Sequence, residues 1–382
     1  FPPPPLSDSQ KATVIRNWCN ASHAANFEEA GCAVCGQLTL RTELSPLKHI
    51  KNYLHILEAD GVTRTSRLNI VDPVQEVKGP VLDLSAGDNV CNSCHFSLRI
   101  GKIPKFALCN GLWLGEVPDV LKDLTFYEKM LISRVCYTKC FVRVQKGGGI
   151  HSKMVSNVIA FENPTALIYD ILPPPKKDIE EVLAIMFSGS TKPTQDDYTR
   201  ALLLVRRNVV ADALHHLILN HCDYMDVNFS SANLESYAED APVVAVEYFQ
   251  KGSNRNAEGV SIHDNFEDDG NECGDCVFTM IGIAALHLDN EGKFLRTSHA
   301  DTPESLWQNP QLYPKMFPWL FPFGLGGLGS AKITLKSFSE SSHIKFLLLY
   351  HDKRFQLDHS FPFVAFSHQQ VKASTSQSFL LA

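Results

Sequence analysis

Two Cys-x2-Cys pairs, Cys32/Cys35 and Cys91/Cys94, constrain this chain more than any other feature, because each brings two soft ligands into a single turn. The eleven cysteines of the 382-residue chain include three such pairs, the third being Cys273 and Cys276, against about 0.3 expected by chance. The count is odd and no secretory signal is read in "FPPPPLSDSQ", so a reducing compartment and metal ligation are expected in preference to a disulfide framework. Two such turns complete a tetrahedron around one Zn2+, with sulfurs about 2.3 Å from the ion. Gly31 and Gly36 flank the first pair, and His95 follows the second directly. Cys32, Cys35, Cys91 and Cys94 are therefore the expected structural zinc ligands, with His95 or Cys109 able to stand in for one of them. The alternative is that these are buried thiols acting as small apolar groups.

The charge balance bears on partners. The net charge is −7, divided into +3 over residues 1–150 and −10 over 151–382. A free-standing nucleic-acid binder is usually basic throughout, so DNA binding is expected only on a local face of the first half. Arg64, Arg67, Arg99, Lys102 and Lys105 are its candidate residues. No apolar run approaches the roughly 20 residues of a membrane helix.

Along the chain, residues 1–30 read as a Pro-rich extended start with a short helix, and 31–114 as the cysteine-paired module. A helical pattern is expected at Leu47, Ile50, Leu54 and Leu57. Thr125 with Glu128 three residues on predicts a capping box. Residues 115–250 read as a mixed α/β domain, with strands at "CFVRVQ", "NVIAF", "VLAIMFSG" and "PVVAVEYF" and a long helix over Thr194–Asn220. Residues 223–275 hold 13 Asp/Glu against two Lys/Arg, and 251–275 read as an acidic linker. "VFTMIGIAALHL" returns to apolar structure, and "NPQLYPKMFPWLFPFGLGGLG" is too rich in Pro and Gly for a regular element. The end, "HIKFLLLYHDKRFQLDHSFPFVAF", predicts a helix and then a strand.

Other motifs carry less. Gly324, Gly326 and Gly329 match G-x-G-x-x-G, but the prolines before them deny the strand that dinucleotide binding needs, so no nucleotide cofactor is expected. No P-loop, H-E-x-x-H or G-x-S-x-G occurs, and no catalytic residue can be picked out. His215, His216 and His221 do not share one helix face and read as groups near a helix C-terminus. Cys136 and Cys140 read as core. Cys273 and Cys276 read as a possible second metal pair in an acidic loop.

"CNSCHFSLRIGKIPKFALCNGLWLGEVPDVLKDLTFYEKMLISRV", "NHCDYMDVNFS", "NPQLYPKMFPWLFPFGLGGLG" and "DKRFQLDHSFPFVAF" together resemble the region ahead of the catalytic parts of Helitron-type transposases. The resemblance spans about residues 30–250 and 300–370, and it includes a domain of unknown function found in fungal Helitron helicase-like proteins. It implies a rolling-circle DNA transposase whose nickase and helicase lie beyond the matched segments. Residues 276–382 would be the start of the helicase-like N-terminal domain, cut short. That family usually has Ala where this chain has Cys109, which favours the four-cysteine ligand set.

The resulting expectation is an α+β, multidomain chain, with a small zinc-stapled N-terminal module followed by a mixed α/β domain. It would be a non-catalytic accessory region that binds DNA or positions the nickase, nuclear by family. The alternative is a metal-stapled protein-interaction scaffold or an inactive transposon remnant. In either case the clip would present "ALCNGLWLG", with Trp113 expected as a buried anchor in preference to part of a contact surface.

Overall fold

In the computed structural model, residues 5–135, 170–176, 184–189, 204–242, 245–250, 278–283, 305, 307–330 and 338–381 are described. Their helices, in chain order, are α1 (Asp8–Ala21), α2 (Asn92–Arg99), α3 (Phe126–Ile132), α4 (Arg207–Asn220), α5 (Ser231–Glu235), α6 (Leu312–Met316), α7 (Glu340–Leu348), α8 (Arg354–Leu357) and α9 (Phe361–Leu381). The strands are β1 (Glu29–Gly31), β2 (Leu38–Leu40), β3 (Leu44–Pro46), β4 (Asn89–Cys91), β5 (Ile171–Leu172), β6 (Ala184–Gly189), β7 (Asn228–Phe229), β8 (Ala245–Gln250) and β9 (Phe278–Ile283). The expected strands "CFVRVQ" and "NVIAF" and the linker 251–275 lie outside the described residues. So do Cys273 and Cys276.

The chain divides into two compact units. The first joins Phe1–Ser66, Asp72–Glu116 and Leu325–Phe366; the second joins Arg67–Val71, Val117–Gly324 and Ser367–Ala382. This division is not linear, since residues 325–366 belong with the cysteine-paired segment.

The first unit is built from two short antiparallel pairs, β1–β2 and β3–β4, with α2 following β4 directly. Residues Leu47–Leu57 form 3-10 turns kinked at Ile50 rather than an α-helix, and they still bury Ile50 and Leu57. Leu98, Leu108, Leu114, Phe346, Tyr350 and Phe355 fill the core, with Phe106 stacked on Phe346 at 5.9 Å between ring centres. Helix α1 starts on a Ser7/Gln10 capping box and buries none of its residues.

The second unit packs α3 against α4 around Leu131, Ile132, Val210, Leu214 and Leu217. The Thr125/Glu128 capping box is present at the start of α3. Helix α4 begins at Arg207, so the expected helix does not run through 204–206, and its earlier part, 194–203, lies outside the described residues. The reason lies in Arg206, whose backbone N–H and guanidinium both bond the buried Glu128 carboxylate, which holds residue 206 extended. Strand β6 lies between β8, parallel to it, and β9, antiparallel. The Pro-rich aromatic stretch does contain one short helix, α6; its Pro314 stands in the first turn, where a missing N–H removes no helical bond. The expected C-terminal strand is instead helix α9. Asp358 accepts from the N–H groups of Ser360 and Phe361, and Pro362 occupies the first turn.

Candidate metal centre

The first cysteine pair occupies the turn of the β1–β2 hairpin. Cys32 N–H donates to Gln37 C=O at 3.1 Å, and Gly36 N–H donates to Cys32 C=O at 2.7 Å. The turn requires Gly36 in the left-handed region, at φ +69°. The second pair uses a different device. Cys91 closes β4 and is the N-cap residue of α2, while Cys94 lies in the first turn of that helix. Two cross-links bring the pairs together: Ala33 N–H donates to Asn89 C=O at 2.8 Å, and Cys91 N–H points at the Cys32 sulfur at 3.3 Å.

All four sulfurs lie within 4.8 Å of one another, and all four residues are buried. Sulfurs around a tetrahedral ion with bonds of about 2.3 Å are separated by about 3.8 Å, so small movements of the side chains suffice to close the set on a metal. The electrostatics point the same way. Cys32 is held far below the usual thiol range because Cys35, Cys91 and Cys94 all face its sulfur, with the Cys91 N–H adding to this and burial opposing it. Cys94 is pushed far above that range by the neighbouring Cys32, Cys35 and Cys91 and by burial. Four buried thiols this close together cannot all ionise without a compensating positive charge. A bound dication removes that restriction and lets every thiol ionise, and the N-terminus of α2 adds a favourable partial charge at Cys91. A buried four-cysteine cluster of this kind could hold a metal ion. Four protein ligands would leave no open position for a substrate.

The alternative ligands are not part of the cluster. His95 is half-buried on α2, and Cys109 is buried elsewhere, with burial raising its thiol to about 11. Cys273 and Cys276, the expected second metal pair, both lie outside the described residues; the candidate centre consists of Cys32, Cys35, Cys91 and Cys94. Leu108 N–H donates to Val34 C=O at 2.9 Å, so the "ALCNGLWLG" segment is bonded to the cysteine turn itself. Asn110 Nδ2 donates to the carbonyls of Pro104 and Lys105, and Trp113 is buried as expected.

The five candidate cations separate. Arg67 caps the C-terminus of α4: its backbone N–H donates to Asn220 Oδ1 at 2.6 Å, and its guanidinium donates to Leu219 C=O. Arg64 is half-buried. Arg99, Lys102 and Lys105 are exposed at the end of α2 and just beyond it, interleaved with Phe96, Ile100 and Ile103, which are 65%, 51% and 51% exposed. Helix α2 packs on the Leu47–Leu57 turns, which carry the exposed Lys48 and Lys51. Neither 47–57 nor 92–106 contains an Asp or Glu.

Sequence reasoning missed the groups that surround the cysteine turn. Asp83 N–H donates to Ala33 C=O, and its carboxylate accepts from Tyr350 OH and His351 Nε2. No local signal links 83 to 350 and 351.

His221, Cys222 and Asp223 form a second cluster, in the other unit. Much of the hydrogen bonding here is made within the cluster and to its neighbours. His221 Nδ1 accepts from Asp223 N–H, and Cys222 Sγ donates to Gly324 C=O at 3.3 Å. Gln311, with its amide oriented to satisfy both partners, donates to Gly324 C=O and to Asp223 Oδ2. Arg134 donates to the Asp223 carbonyl, and Lys315 adds positive charge near the carboxylate. This arrangement opposes a cation and ties the loop after α4 to the glycine run, where Gly324 leaves no room for a Cβ beside Cys222 and His221.

A family model described as a domain of unknown function (DUF6570) matches residues 100–235. No curated protein and no solved structure matches the chain. Among the described residues, no helix is long and apolar enough to cross a membrane.

Proposed function

We propose that this chain is a non-catalytic accessory region of a Helitron-type transposase, stapled by one structural zinc ion, which brings a basic face to DNA in the nucleus. The observation that carries the reading is the coupling of the buried four-cysteine cluster to an exposed cationic surface whose two segments, 47–57 and 92–106, contain no Asp or Glu. Cys91 and Cys94 sit at the start of α2, Arg99 ends it, and Lys102 and Lys105 follow just beyond. Zinc is the ion chosen because four thiolates in a closed tetrahedral set suit it and its chemistry there is purely structural. The domain match over residues 100–235 falls where the resemblance to such transposases expects a domain of unknown function.

On such a surface Lys48, Lys51, Arg99, Lys102 and Lys105 would meet phosphates, and each contact made releases counterions. The test is binding of the whole, zinc-loaded chain to single- and double-stranded DNA across a salt series, compared with Arg99→Gln/Lys102→Gln/Lys105→Gln. The reading predicts weaker binding by the variant and, on duplex DNA, a log K against log salt slope shallower by about 3. Failure of the parent chain to bind either form at low salt contradicts the DNA role. The exposed Phe96, Ile100 and Ile103 would then favour the second reading, a metal-stapled scaffold that docks a protein partner.

A further inference from the structure

The edge of the cysteine turn is paired by a segment from the far end of the chain. Leu38 N–H donates to Leu349 C=O at 2.9 Å, and His351 N–H donates to Gly36 C=O at 2.8 Å, with Gln37 and Tyr350 opposite each other as an antiparallel bridge. The Tyr350 ring lies where a Cβ on Gly36 would be, 2.4 Å from that position. A second tie runs through Asp83. Its N–H is bonded to Ala33 C=O, between the two cysteines of the turn, and its carboxylate accepts from Tyr350 and His351. Gly31 is closed on by the Cβ atoms of Ala86 and His351 from the other side.

Each of these contacts reads the conformation of the Cys32–Cys35 turn. The direction of the Gly36 carbonyl follows from its left-handed φ, and the Ala33 carbonyl lies within the turn that a bound ion would fix. We propose that the four-cysteine site is a latch for residues 338–366: metal loading fixes the turn on which this segment docks, and metal loss releases the segment. This rests on the metal reading above and adds a conformational consequence to it. It assigns Asp83, Tyr350 and His351 as positioning residues that hold the segment and do not bind the ion.

The experiment is amide hydrogen exchange on the full chain, zinc-loaded and after chelation, with zinc per chain measured in the same samples. Peptides covering 36–40 and 340–357 are expected to exchange at least about tenfold faster once the ion is removed. Asp83→Asn and His351→Ala are expected to keep one zinc per chain and still lose protection over 340–357, which separates docking from metal binding. Zinc lost on chelation with exchange over 340–357 unchanged overturns the latch and leaves the metal site standing. Absence of zinc from the purified chain overturns both. Variants that keep their zinc and the parent level of protection overturn the role given to Asp83 and His351, and with it the side-chain half of the latch.

Discussion

Glu128 has no exposed side-chain surface, and the guanidinium of Arg206 meets both of its carboxylate oxygens at 2.8 Å. Burial pushes this carboxyl up, but the Arg206 bonds and the Thr125 and Arg206 N–H groups outweigh it and leave the acid below its usual range. The same residue closes the capping box of α3, so a single carboxylate orders the start of α3 and the approach to α4. Arg206→Ala strands that charge and is expected to cost about 2–4 kcal/mol in denaturant unfolding. Adding Glu128→Gln should recover part of the loss. A neutral Arg206→Ala would show that the pair adds nothing.

Gly36 is the most restrictive backbone position in the cysteine turn. It combines φ +69° with the Tyr350 ring pressed against its α-carbon. Gly36→Ala meets both penalties, and about 2 kcal/mol or more of stability should be lost. Gly101→Ala is the useful comparison: φ is +71° there, and nothing lies within 4 Å of the added Cβ. Thermal unfolding of the two variants should separate the contact from the strain alone.

His343 is buried in the first unit, and desolvation depresses it to about 4. The unfolded chain takes up a proton near pH 6.5 that the folded chain refuses. The stability this group contributes is therefore fully present above about pH 6.5 and is lost as pH falls toward 4, amounting to about 3 kcal/mol. His343→Gln should flatten that slope in unfolding measured between pH 7 and pH 4.5. His216, also depressed by burial, contributes in the same direction from the second unit and would remain in the variant. An unchanged slope would exclude His343 as its source.

Arg67 offers a check on the basic face. Because its guanidinium is bonded to the last turn of α4, Arg67→Gln should leave DNA affinity within about twofold while lowering stability by about 1 kcal/mol. A loss of affinity as large as that of the Arg99/Lys102/Lys105 variant would mean that Arg67 also reaches phosphate.

What the sequence made legible was local. Cys32/Cys35 and Cys91/Cys94 announce themselves because two ligands in one turn impose a spacing, and Thr125 with Glu128 does so because a capping box spans three residues. The burial of Trp113 was read the same way, from its apolar surroundings. The pairing of Gly36–Leu38 with Leu349–His351 left no such mark, since backbone hydrogen bonds are indifferent to side-chain identity. Arg67 looked like a phosphate contact because a helix C-terminus that accepts a cation is not visible from residue 67. Phe361–Pro362–Phe363 looked extended because proline and aromatics favour strand edges, whereas Asp358 caps a helix there and puts the proline in its first turn.

The central claim is that Cys32, Cys35, Cys91 and Cys94 hold one structural ion. The direct measurement is metal content of the full chain beside Cys91→Ser/Cys94→Ser, with folding followed by circular dichroism. The full chain is needed because residues 325–366 belong to the same compact unit as the cysteines. The account predicts one zinc per chain, lost in the double variant together with the ordered structure of the first unit. A metal-free parent chain, with the double variant folded just as well, would contradict it and leave the four thiols as packing groups.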